Sequence, residues 1–122
     1  MKMLIIEPIP DNAGLIQRAL QTIPQAETMS VASWMESVPV IYRCWPDIVV
    51  ADWAAEKIDD DLKLRALRQM KVRGIPFFLW CEDVDSVPME LRRYSIGRDA
   101  GMQVLKQAIE VQASAKHTNV AH

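Results

Sequence analysis

Three positions carry side chains that could do chemistry at the edge of a sheet: Glu7, Asp52 and Cys81. Each follows or closes a short apolar run. Asp52 is the sharpest of them, because Ile48-Val49-Val50-Ala51 leads straight into it and Trp53 follows at once. A buried strand that ends in a carboxylate delivers that acid to the strand's C-terminal edge, where open α/β sheets place their chemistry. There an acid can accept a phosphoryl group or hold a hard cation, or it can be a solvated strand end with no role. Glu7 stands before Pro8, which makes a turn acid the plain alternative to a metal ligand. For Cys81 the plain alternative is a small buried hydrophobe. His117 and His122 both fall near the C-terminus, so no histidine is on offer as a core catalytic base.

The elements that must position these residues alternate. Met3 to Ile6 reads as a strand buried on both faces. Asp11 or Asn12 is expected to cap a helix whose Leu15, Ile16, Ala19, Leu20 and Ile23 share a face, with Pro24 ending it. Thr28 to Ala32 alternates weakly, as an edge strand does. Ser33 can cap a second helix through Cys44, where Pro39 predicts a late start or a kink. After the Asp52 strand, Asp59, Asp60 and Asp61 stand at the N-terminus of a third helix, where acids suit the positive end of the dipole. Leu64, Leu67 and Met70 recur along that helix, and Gly74 stops it. Ile75 to Trp80 is the most apolar strand. Val87 to Leu91 fits a short helical turn and Arg93 to Ile96 a last small strand. Asp99 is then expected to cap a helix with Met102, Leu105, Ala108 and Ile109 inward. Residues 113–122 are polar and lack periodicity, the pattern of a flexible tail. Strand and helix thus alternate five times, which implies a mostly parallel sheet with helices on both faces.

Length and composition narrow the functional classes. With 122 residues the chain makes one domain, here 1–112 plus the tail. Half is hydrophobic and a quarter charged, as in ordinary soluble globules. A net charge of −2 gives no global field to recruit nucleic acid or an acidic membrane surface. Pro8 and Asp11 interrupt the apolar start, so it is neither a signal peptide nor a spanning helix. Cys44 and Cys81 lie far apart without a CxxC spacing, which argues for a reducing compartment, the cytoplasm by default.

The order of elements resembles the receiver domain of bacterial two-component response regulators, over about residues 2–112. So does the stretch Pro46-Asp47-Ile48-Val49-Val50-Ala51-Asp52-Trp53, and Ile75-Pro76-Phe77-Phe78-Leu79-Trp80 is similar to the family's fourth strand. The resemblance implies a flavodoxin-like, doubly wound, five-stranded parallel sheet of order 2-1-3-4-5. The span from Cys81 to Gly97 is short for a full fourth helix and fifth strand, so that region is expected to be reduced. The resemblance implies that Asp52 is the phosphoacceptor, fed by a histidine kinase. Magnesium would be held weakly by Glu7, Asp52 and the backbone carbonyl of Ala54. Cys81 falls where the family has a Ser or Thr, Gly97 where it has a Lys, and Pro8 where it has a second acid. A thiol donates more weakly than a hydroxyl, and proline offers no carboxylate.

That pattern suggests a degenerate receiver acting through phosphorylation-independent protein contact. Arg98, next to Gly97, could pair with Asp52 and hold the site in one state without phosphate. The partner would be a histidine kinase or another signalling protein, and residues 88–109 form a face for homodimerisation. No nucleic-acid, membrane or enzymatic role is expected. The alternative is a working receiver phosphorylated on Asp52 over a weakened magnesium site. A flavodoxin-like cofactor binder ranks below both, because Pro8 and Pro10 remove amide donors from the loop after the first strand.

The aromatic and basic residues carry expectations of their own. Trp34 and Trp45 bracket the second helix and should pack over the sheet edge. Trp80 suits the core, while Trp53 fits either the core or an exposed contact surface. Lys63, Arg65, Arg68, Lys71 and Arg73 read as a solvated helix face.

Overall fold

The computed structural model describes residues 1–54 and 60–120. Its strands are β1 (Lys2–Ile6), β2 (Glu27–Val31), β3 (Ile48–Ala51), β4 (Phe77–Cys81) and β5 (Ser95–Gly97). Its helices are α1 (Pro10–Leu20), α2 (Trp34–Cys44), α3 (Asp60–Val72) and α4 (Met102–Val120). All strand pairings are parallel and the order is β2-β1-β3-β4-β5, the expected doubly wound sheet. Asp59, expected with Asp60 and Asp61 at the N-terminus of the third helix, lies outside the described residues.

Both faces of the sheet are covered, which is why its central strands read as unbroken apolar runs. Leu4, Ile6, Val49, Ala51, Leu79 and Cys81 point toward α2 and α3. Met3, Ile5, Ile48, Val50 and Trp80 point the other way, toward α1 and α4. Neighbouring residues of one strand therefore serve two cores, as the period of two requires.

Helix ends differ from expectation in instructive ways. α1 starts at Pro10, whose missing N–H is no loss in a first turn, and Asp11 and Asn12 lie inside it rather than at its cap. Within α1, Ile16 and Leu20 are buried but Leu15 is exposed. α2 begins where Ser33 places it and runs unbroken past Pro39. The Ser33 hydroxyl accepts from the Glu36 N–H, and the Glu36 carboxylate accepts from the Ala32 N–H, a reciprocal cap that outweighs the proline. α3 closes at Gly74, with φ of 71°, while the Ile75 N–H reaches back to the Met70 carbonyl. The start of α4 is set by Gly101 at φ 93°, not by Asp99, and the helix continues beyond Ala113 to Val120.

The expected shortening falls between β4 and α4. Two 3₁₀ turns, Val84–Ser86 and Met89–Tyr94, stand where an α-helix would complete the pattern, and β5 has three residues. Arg92 ties these turns together, donating to the carbonyls of Val87 and Asp85. A third 3₁₀ turn, Arg98–Ala100, leads from β5 to α4. Among the described residues, no helix is long and apolar enough to cross a membrane.

Candidate functional site

The first position past β1 is Glu7, the first past β3 is Asp52, and β4 ends at Cys81. Parallel pairing of β1 with β3 and β3 with β4 brings the three to one edge of the sheet. The backbone holds them there. Asp52 donates its N–H to the Ile6 carbonyl at 2.9 Å, and Glu7 donates to the Val31 carbonyl at 3.0 Å.

Arg98 connects the acids. One guanidinium nitrogen, Nη2, lies 3.2 Å from Asp52 Oδ2 and 3.3 Å from Glu7 Oε2. Its other terminal nitrogen is 3.8 Å from Glu82, which is mostly exposed. The Glu7 side chain is fully buried, and that of Asp52 is 12% exposed. A single cation therefore bridges two acids in a part-buried place, where an ion pair is screened less than on a surface. Burial pushes the Glu7 carboxyl above its ordinary value. A hydrogen bond from Asn12 and the Arg98 charge pull it back down, while the Asp52 charge adds to the rise.

The remaining parts differ from what phosphoryl chemistry would ask. Asp52 Oδ1 accepts the Ala54 N–H at 3.0 Å, so one carboxylate oxygen is already engaged by its own loop. The Cys81 thiol is buried and faces the carbonyls of Leu79 and Ile96, both 3.9 Å away. Burial raises its pKa, with the Asp52 charge a second cause, which keeps it a protonated thiol. β5 ends at Gly97, opposite Cys81 in register. A Cβ there would stand 2.5 Å from an Asp99 oxygen, so a lysine could enter only if Asp99 moved aside.

Magnesium wants six oxygen ligands in a near-octahedral shell. Here the space between the two acids is crossed by the Arg98 guanidinium, and Pro8 supplies no third acid. Among the described residues, no group of three or more His, Cys, Asp or Glu side chains could hold a metal ion. These residues do not fit the ion. Asp52 still borders an open cavity of about 310 Å³, with Ala54, Cys81, Ser86 and Arg98 also in its wall.

Two side chains behind the site escaped the sequence reading. Trp34 is fully buried and donates its indole N–H to the Asp52 carbonyl at 3.0 Å. Lys63 is no part of a solvated face: it is 4% exposed, and its ammonium donates to the Trp53 carbonyl. The same ammonium sits 4.9 Å from the centre of the Trp53 ring. Trp53 is buried, edge to face with Trp34 at 6.1 Å, which excludes the exposed contact surface. Two successive carbonyls after β3 are thus held by side chains from α2 and α3. One signal for Lys63 existed, since it continues the buried series of Leu67 and Met70 at helical spacing.

No protein-family model matches the chain, and no curated protein does. Solved structures of the same shape are plentiful. The receiver domain of a Francisella response regulator superposes with a TM-score of 0.77 at 15% identity, over 94% of this chain and 98% of that one. The N-terminal domain of a response regulator/sensory box/GGDEF protein from Carboxydothermus hydrogenoformans gives 0.77 at 20% identity, over 98% and 99%. A response regulator receiver domain from Clostridium thermocellum gives 0.76 at 18% identity, over 96% and 97%. At these identities the likeness establishes the receiver fold.

Proposed function

We propose that this chain is a receiver-like signalling module of a two-component system that works without phosphorylation, by protein–protein contact. The observation that carries this reading is the Arg98 guanidinium between Glu7 and Asp52. It places a fixed positive charge where a phosphoryl-accepting site would need a divalent cation, and so satisfies the acids permanently. Trp34 and Lys63 support the same reading, because they hold the loop after Asp52 from behind. Asp52 is then a structural anion and Arg98 its partner, with Cys81 a packing residue at the cavity wall.

The module is residues 1–112, with 113–122 as an appendage to it. Its partner is a histidine kinase or another signalling protein, and the 88–109 face serves contact or homodimerisation. Exposed Met89 and Val104 on that face support this. The unpaired cysteines Cys44 and Cys81 suit the cytoplasm. We assign it no enzymatic activity of its own and no nucleic-acid or membrane binding.

A second reading keeps Asp52 as an acceptor for a histidine kinase with a weakened magnesium site. It is favoured by the cavity that Asp52 borders, which is roomy enough for a phosphoryl group. Incubation with acetyl phosphate and magnesium, followed by intact-mass measurement, separates the two. The expected result is an unchanged mass. A phosphoryl adduct that is absent from Asp52→Asn would establish the second reading instead. The flavodoxin-like cofactor binder has the least support, with Pro8 and Pro10 where amide donors would be needed.

A further inference from the structure

Away from Asp52, exposed aromatics and cations gather between α2 and α3. These helices enclose a cavity of about 270 Å³ between Val38, Ile41 and Tyr42 on one side and Leu62, Arg65 and Ala66 on the other. Tyr42 and Trp45, near the C-terminal end of α2, are 53% and 52% exposed. The Arg73 guanidinium lies over both rings, 4.0 Å from the first and 4.7 Å from the second. Its Nη1 is buried and has no hydrogen-bond partner among the described residues.

Basic side chains gather toward the Tyr42 and Arg73 end of this groove. Arg43, Arg65 and Arg68 are exposed on the same two helices, while Lys71 turns away to the Tyr94 ring. Among the described residues, the exposed acids of these helices, Glu36 and Asp61, belong to the first turns, Asp61 beside the cavity residue Leu62 and one turn from Arg65, so the end near Tyr42 and Arg73 is the basic one. Exposed Glu82, Asp83 and Asp85 lie instead on the connection after β4, so a chain of net charge −2 keeps a basic flank. Aromatic and arginine side chains beside an apolar pocket are the composition of interface centres.

We infer that the α2–α3 groove docks an acidic segment of a partner protein. One apolar side chain of that segment enters the cavity, and its carboxylates meet Arg73 and Arg65. An apolar recess of side-chain size suits a peptide better than a phosphate backbone, and the rings beside it provide anchoring area. This surface is separate from the 88–109 face and does not depend on the state of Asp52, so it stands or falls apart from the acetyl phosphate result.

The test is fluorescence anisotropy of the whole chain with a labelled helical peptide bearing leucines at helix spacing and glutamates elsewhere. A counterpart with lysines for glutamates serves as control. Saturable, salt-weakened binding of the glutamate peptide alone is expected. Arg73→Glu and Arg65→Glu should each weaken it about tenfold or more. Arg18→Glu, the same charge change at an exposed position of α1, should leave it unchanged. Arg65 is itself exposed, so its variant keeps the test valid if Arg73→Glu fails to fold. The inference is overturned by absent binding, by equal binding of the lysine peptide or by equal weakening in Arg18→Glu. Tighter binding of a single-stranded oligonucleotide, or self-association lost in Arg73→Glu, would overturn it as well.

Discussion

The two halves of this sheet are built differently. From β1 to β4, strands of four or five residues alternate with helices of eleven to thirteen, and both cores are filled by fully buried side chains. After β4 the pattern thins to 3₁₀ turns and a strand of three half-buried residues before α4. The acids of the candidate site come from the regular half, and the cation that joins them comes from the thin one. The regular half is held by packing, and the later half packs on it through Val87, Leu91, Leu105 and Ile109 while adding a charge contact through Arg98. A reduced fourth helical region does not leave the site empty; it is accompanied by an arginine on the turn after β5 that reaches the acids.

Several substitutions would break or sharpen this contrast. Trp34→Ala removes a fully buried indole and the donor to the Asp52 carbonyl. It should cost about 3–5 kcal/mol in urea unfolding, as large aromatic truncations do. If it cost less than the loss of Arg98, packing would not be what holds the regular half. Arg98→Ala leaves two neighbouring carboxylates without their counter-charge. The expected cost is about 1–3 kcal/mol, below that of a fully buried pair because Arg98 is 23% exposed. That cost should shrink in acid, where Glu7 takes up a proton. Gly101→Ala forces an alanine into φ 93° in the turn that carries Arg98 into α4, and should cost about 1–2 kcal/mol by thermal unfolding.

Glu7→Gln is the subtlest. The folded-state pKa of Glu7 is raised, chiefly by burial, so its favourable effect is complete below the ordinary carboxylate value of 4.5 and is lost as pH rises through the higher folded value. Stability of the Gln variant relative to the native chain should therefore improve from acid toward neutral pH. A gap between them that does not change with pH would mean that Arg98 fully offsets the burial of the charge.

Much of this fold is legible because period and punctuation agree. Unbroken apolar runs gave β1, β3 and β4, Ser33 marked the start of α2, and Gly74 marked the end of α3. The brevity of the segment from Cys81 to Gly97 pointed to the missing helix. What escaped depends on partners distant in sequence. Lys63 reads as a solvated cation until the fold sets it beside the Trp53 ring and carbonyl. Leu15 reads as core because its periodicity is right, yet α1 buries a narrower stripe. Asp99 and Gly101 compete for the start of α4, and the need for positive φ at the turn favours the glycine. In the site, residue types revealed the acids and Arg98, but only the geometry shows one guanidinium nitrogen reaching both acids.

The central claim is that a fixed guanidinium has taken the place of a bound cation. Trp53 and Trp80 lie close enough to the strand ends to report on a filled site. Tryptophan fluorescence titrated with magnesium and beryllofluoride, a mimic of the phosphoryl group, is therefore the most direct measurement. A flat response through millimolar magnesium, beyond dilution and ionic strength, is expected. A saturable change that requires both reagents and disappears in Asp52→Asn would contradict it.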